Sequence, residues 1–125
     1  MNIVRPVQIL FMIAMLLTGG GAFAASYDAI AVHDEQGLKG GDAGYGVGEG
    51  KTANAANDMA MKNCRTSGNG KCELAVTYQQ CGAYASSREH SGTGTGETKD
   101  AAKSAALGQC GSGGCKIVVS DCVEN

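Results

Sequence analysis

Tryptophan is missing from this chain, and proline and phenylalanine are nearly so. The single proline, Pro6, and both phenylalanines, Phe11 and Phe23, fall within the first 24 residues. Everything beyond Ala24 must therefore build its core from alanine, valine, isoleucine, leucine, methionine and four tyrosines. Such a core buries little area per residue, in a chain short enough for one small domain and already marginal in size. A large charge of one sign is also lacking. Without Arg5, nine Lys and Arg face twelve Asp and Glu, a net charge of −3 with histidines neutral. That mild acidity excludes a clustered cationic surface for nucleic acid. Nor is there a long apolar run: Val7 to Leu17 is well short of the roughly 20 residues of a membrane span.

What the N-terminus does have is Arg5, that short apolar run, and a small-residue ending Ala22-Phe23-Ala24. This is the layout of a secretory signal peptide over residues 1–24, cut after Ala24, which leaves one domain over 25–125. No cysteine lies near the cut, so no lipid anchor is expected. The expected location is periplasmic or secreted, with no membrane contact after cleavage.

Six cysteines, at 64, 72, 81, 110, 115 and 122, occupy that domain. An even count in a small exported domain reads as a disulfide framework. Metal binding is the rival, but no Cys-x-x-Cys pair exists and the spacings of eight, nine, twenty-nine, five and seven fit no common zinc pattern.

The second half of the chain rewrites the first. Shifted by forty-six, Gly48, Gly50, Thr52, Ala55, Ala56, Ala60 and Cys64 fall on Gly94, Gly96, Thr98, Ala101, Ala102, Ala106 and Cys110. Two copies of one unit, 27–80 and 81–122, are expected. Each opens with a short stretch, Tyr27 to Val32 and Cys81 to Ser86, that reads as a strand with one buried face. Glycine-rich passages follow, Gly37 to Gly50 and Gly92 to Gly96, and read as loops of unequal length. Thr52 and Thr98 then suit helix N-caps, with Ala56, Ala60 and Cys64, and Ala102, Ala106 and Cys110, recurring every four residues. Apolar strands close the copies at Cys72 to Tyr78 and Cys115 to Ser120.

Strand, helix, strand, twice over, predicts an α+β fold of order β-α-β-β-α-β: a four-stranded antiparallel sheet with two helices on one face. Within it Cys64 with Cys72, and Cys110 with Cys115, each staple a helix to the next strand. Cys81 and Cys122 remain as the third pair, both read as lying just past the closing strand of a copy.

With these residues in view, the chain resembles a family of small exported bacterial proteins known as domain of unknown function 4189. Tyr27 to Ala31 is similar to the family's opening Tyr-Gly-Ala-Ile-Ala, with Asp28 in place of the usual glycine. Tyr78-x-x-Cys81-Gly82-Ala83-Tyr84-Ala85, the glycine-threonine loop before Thr98 and the Ala-Ala to Cys110 helix match as well. The resemblance implies export and architecture, and brings no catalytic residues to carry over.

Gly46-Val47-Gly48-Glu49-Gly50-Lys51-Thr52 ends like a phosphate-binding loop, but Tyr45 stands where the motif needs its first glycine. Glu97-Thr98 replaces Lys51-Thr52 in the second copy, so the shared task is helix capping. His33 lies beside Asp34 and Glu35, and His90 follows Arg88 and Glu89, each just beyond the first strand of its copy. Clusters of this type run acid-base chemistry when they converge, although solvated loop charge is the simpler reading. Ser86 and Ser87 near His90 form the one further grouping to check; no serine stands in a Gly-x-Ser-x-Gly elbow.

These readings favour a non-enzymatic exported module that contacts another protein, for example an inhibitor or immunity protein against a periplasmic toxin. His33, Asp34, Glu35, Tyr45, Arg88, Glu89 and His90 make up its candidate surface, with no metal, cofactor or nucleic acid expected. The alternative is a small secreted enzyme or virulence factor using His33 or His90 with nearby carboxylates.

Overall fold

The computed structural model describes residues 26–35, 41–68 and 70–124. The leader read over residues 1–24 and the first part of the Gly37 to Gly50 passage lie outside them. The observed unit is strand, strand, helix, strand. In the first copy these are β1 (Tyr27–His33), β2 (Gly44–Gly50), α1 (Ala53–Thr66) and β3 (Glu73–Tyr78). In the second they are β4 (Cys81–Ser86), β5 (Ser91–Gly96), α2 (Lys99–Cys110) and β6 (Lys116–Cys122).

The expected single four-stranded sheet is thus replaced by two three-stranded antiparallel sheets, ordered β2-β1-β3 and β5-β4-β6. The extra strand in each comes from the glycine passages read as loops. Their glycines are strand residues because a helix backbone presses on them. A Cβ on Gly48 would lie 2.2 Å from the Ala60 nitrogen, and one on Gly94 would lie 2.4 Å from the Ala106 nitrogen. Gly46, Gly50, Gly92 and Gly96 are crowded in the same way. A strand glycine commonly marks such a close backbone approach. The helices answer with their own small residues: Ala56, Ala60 and Cys64 of α1, and Ala102, Ala106 and Cys110 of α2, are buried.

Both helices start as the sequence suggests. Ala55 N–H donates to Thr52 Oγ1 and Ala101 N–H to Thr98 Oγ1, each at 3.1 Å. They end differently, α1 at Ser67 and α2 at a left-handed Gly111 with φ 73°.

The central strands β1 and β4 are buried on both faces, not one. Ala29 and Ala31 meet α1, and Ala83 and Ala85 meet α2. From the other faces, Ile30, Val32, Tyr78 and Tyr84 form a third core between the sheets. The layers therefore run helix, sheet, sheet, helix, with one helix outside each sheet. β1 packs on β4, β2 near β6 and β3 near β5, the pattern of two copies related by a two-fold axis. The copies even share an irregularity, since the register slips opposite Ile30/Ala31 in one and Tyr84/Ala85 in the other.

The disulfides join Cys64 to Cys72, Cys81 to Cys122, and Cys110 to Cys115. The first and third tie each helix to the strand after it. The second needs a correction. Cys81 opens β4 and Cys122 ends β6, where they face each other as cross-strand partners inside the second sheet. They are not equivalents; the register against Gly50 and Gly96 places Tyr27 where the second copy has Cys81.

Two tyrosines cross between the units. Tyr78 Oη of the first donates to Asp121 Oδ2 of the second at 2.7 Å, and Tyr84 Oη of the second donates to Asp34 Oδ2 of the first. Burial, then the bonded carboxylate, holds both phenols well above the ordinary tyrosine range, so both remain donors.

Candidate functional site

β1 and β4 end side by side, and their two exits frame a cleft of about 300 Å³. The copies differ most at this place. Residues 34–43 link β1 to β2, whereas only residues 87–90 link β4 to β5. His33, Asp34 and Glu35 line the cleft from one side and Ser87, Arg88, Glu89 and His90 from the other. Of the candidate surface residues, only Tyr45 lies elsewhere; it is an exposed β2 residue paired with Val32.

The cleft is held by the main chain. Lys71 N–H donates to His33 Nδ1 at 3.2 Å, and the Lys71 carbonyl lies 2.5 Å from the same nitrogen. His33 Nε2 faces Glu35 Oε1 at 3.4 Å. The ring is therefore gripped on both sides and oriented, with 19% of its side chain exposed. Tyr84 rises from the core between the sheets and fixes Asp34 through its hydroxyl. On the other side Ser87 shapes a tight turn. Its N–H donates to the His90 carbonyl at 2.8 Å, and its Oγ accepts from the His90 N–H at 3.0 Å.

That turn decides the serine grouping. Ser87 meets His90 through the main chain, so its hydroxyl serves the turn and not an imidazole. Ser86 is buried at 1% exposure, with an Oγ that lacks a hydrogen-bond partner. No serine-histidine dyad forms from either. The phosphate-loop lookalike also resolves into structure, because Gly44–Gly50 pairs along β1 and Thr52 caps α1.

Lys71, Glu73 and Tyr84 line the cleft without having been singled out in the sequence. Lys71 and Glu73 flank Cys72, whose bond to Cys64 anchors that segment to α1. The cysteine was the available signal. In sum the cleft gathers carboxylates from Asp34, Glu35, Glu73 and Glu89, cations from Lys71 and Arg88, and two imidazoles. Among the described residues no group of three or more His, Cys, Asp or Glu is arranged to hold a metal ion, and no helix is long and apolar enough to cross a membrane.

One family model, Domain of unknown function (DUF4189), matches residues 27–122. No curated protein and no solved structure matches the chain.

Proposed function

Because the chain belongs to the DUF4189 family, which is defined without an activity, we propose from the cleft that it is an exported module that binds another protein there. The observation that carries this reading is that two charged segments that do not repeat each other, 33–35 and 87–90, line one cleft. Loops held on a rigid scaffold are the usual place for recognition. The mixture of carboxylates and cations suits a partner segment bearing both signs, which gives register and specificity more than bulk affinity. Three disulfides and the leader-like N-terminus support action outside the cytoplasm. An inhibitor or immunity protein that masks a periplasmic toxin is the concrete form of this function.

The enzymatic alternative draws on the oriented His33–Glu35 pair. Against it, every cysteine is bonded and the Ser87 hydroxyl is committed to a turn.

The test is affinity capture from a native envelope extract with the disulfide-bonded protein and with a Glu35→Ala/Arg88→Ala variant of unchanged melting temperature. A binding protein retained by the parent and lost with the variant supports the cleft. Equal retention by both places the contact elsewhere and sinks this reading.

A further inference from the structure

The opposite end of β1 carries a second constellation. Asp28, the second residue of that strand, is a buried carboxyl at 5% exposure. It lies next to Asp121 of β6, the same carboxylate that accepts from Tyr78, closely enough for the two to interact electrostatically. Glu49 of β2 and Glu124, just past β6, complete a group of four acids. Two adjoining clefts, of about 530 and 340 Å³, both include Asp28, Glu49 and Glu124 in their walls.

Among the described residues no cation pairs with these charges. The ion pairs among the described residues, His33 with Glu35 and Lys103 with Asp100, lie elsewhere. Lys51 borders the smaller cleft but is exposed and pairs with none of them. Independently of the cluster, Asp28 Oδ1 is buried without any hydrogen-bond partner. A buried polar atom left unsatisfied is rare and costly.

The two-fold relation shows that the fold itself does not need this carboxyl. Asp28 faces Tyr78 across the β1–β3 pair, and Gly82 faces Asp121 across the β4–β6 pair. Gly82 is therefore the counterpart of Asp28, and Tyr78 that of Asp121. At Gly82 the missing side chain makes room for the Tyr78 ring, which would lie 2.3 Å from a Cβ there. At Asp28 the same position adds a carboxyl to an acidic cleft, against the stability of the sheet pair.

We propose that Asp28, Asp121, Glu49 and Glu124 form a binding site for an alkylammonium cation, in which the Asp28 carboxyl is the floor and the two exposed glutamates the rim. An ammonium group donates three hydrogen bonds and carries the compensating charge without requiring a metal's coordination geometry. The shared chemistry admits two sources, a free diamine or a lysine side chain of a partner.

A proton is the cation's competitor at this carboxyl. Burial, then the neighbouring Asp121, then Glu49 and Glu124, push the Asp28 carboxyl up to about 7. Tyr78, the remaining titratable neighbour, stays a neutral donor to Asp121. Cation and proton therefore compete, which fixes the sign of the pH dependence.

The experiment follows the Asp28 side-chain carboxyl by NMR in the disulfide-bonded protein, titrated with putrescine or with a short lysine-containing peptide. The expected result is a lower Asp28 titration midpoint with either probe, and binding that tightens about tenfold per pH unit between pH 5 and 7, then levels off. Asp28→Gly, which copies the Gly82 position, is expected to keep the fold, weaken binding at least tenfold and lose that pH dependence. A response to putrescine alone identifies a free diamine, and a response to the peptide identifies a partner's side chain. Equal binding by Asp28→Gly, no response to either probe at millimolar concentration and pH 8, or a response to calcium chloride alone overturns the assignment.

Discussion

Gly48 and the backbone nitrogen of Ala60 are in such close contact that a methyl group on the glycine would come within 2.2 Å of that nitrogen. Backbone atoms cannot rotate aside, so the whole of α1 would have to move. Gly48→Ala and Gly94→Ala are each expected to cost at least about 3 kcal/mol, the upper end of overpacking, or to prevent folding. Gly108 is the control. It lies in α2 with open space around its would-be Cβ, so Gly108→Ala is expected to stabilise by about 0.5 to 1 kcal/mol through helix propensity. Urea unfolding of the three variants measures both signs.

This contact also explains what was legible in the sequence. The helices were, because Thr52 and Thr98 cap them and a four-residue recurrence of alanine and cysteine marks their buried stripes. The strands β2 and β5 were not. A run such as Ser91-Gly92-Thr93-Gly94-Thr95-Gly96 lacks the apolar side chains that mark a strand's buried face, because α2 occupies the space at Gly92, Gly94 and Gly96. Losing those two strands turned two sheets into one and put both helices on the same face. The charged candidates fared better. His33, Asp34 and Glu35, and Arg88, Glu89 and His90, stand out as charged clusters just beyond the first strand of each copy, although no local pattern announces that they share a cleft. Tyr84 reads from the sequence as a strand and motif residue and not as a site residue, because its ring belongs to the core and only its hydroxyl to the site.

Among the described residues the Tyr78 to Asp121 bond is one of two side-chain hydrogen bonds that join the units. Tyr78→Phe leaves a partly buried carboxylate short of a donor, and is expected to lower stability by about 1 to 3 kcal/mol. Adding Asp121→Asn should recover part of that loss, because the two residues are in contact and their effects are not additive. A double-mutant cycle by thermal unfolding gives the coupling.

Asp28 makes stability fall as pH rises. Its folded value of about 7 lies above the ordinary 3.8, so between these limits the folded state holds a proton that the unfolded chain has released. The contribution is complete below about pH 4 and is lost through pH 7, with a slope of up to about 1.4 kcal/mol per pH unit. Asp28→Asn should flatten this part of the profile, and at pH 8 it should melt above the parent. Melting temperatures from pH 4 to pH 9 check both statements.

The bridges should contribute unequally. Cys81–Cys122 closes 41 residues, against 8 for Cys64–Cys72 and 5 for Cys110–Cys115. Loop entropy assigns about 4 kcal/mol to the first and about 2 to 2.5 to each of the others. Replacing each pair by serine, one pair at a time, and measuring urea unfolding gives the order. The Cys81→Ser/Cys122→Ser protein is expected to be the least stable of the three.

Ten residues link β1 to β2 and only four link β4 to β5. Two identical halves would present a visitor with two equivalent ways of settling between them, related by half a turn. Lengthening one side abolishes that equivalence. Whatever enters the cleft meets the acidic corner of the first copy and the arginine-bearing turn of the second in a fixed order, so a body built from two like halves has two unlike sides.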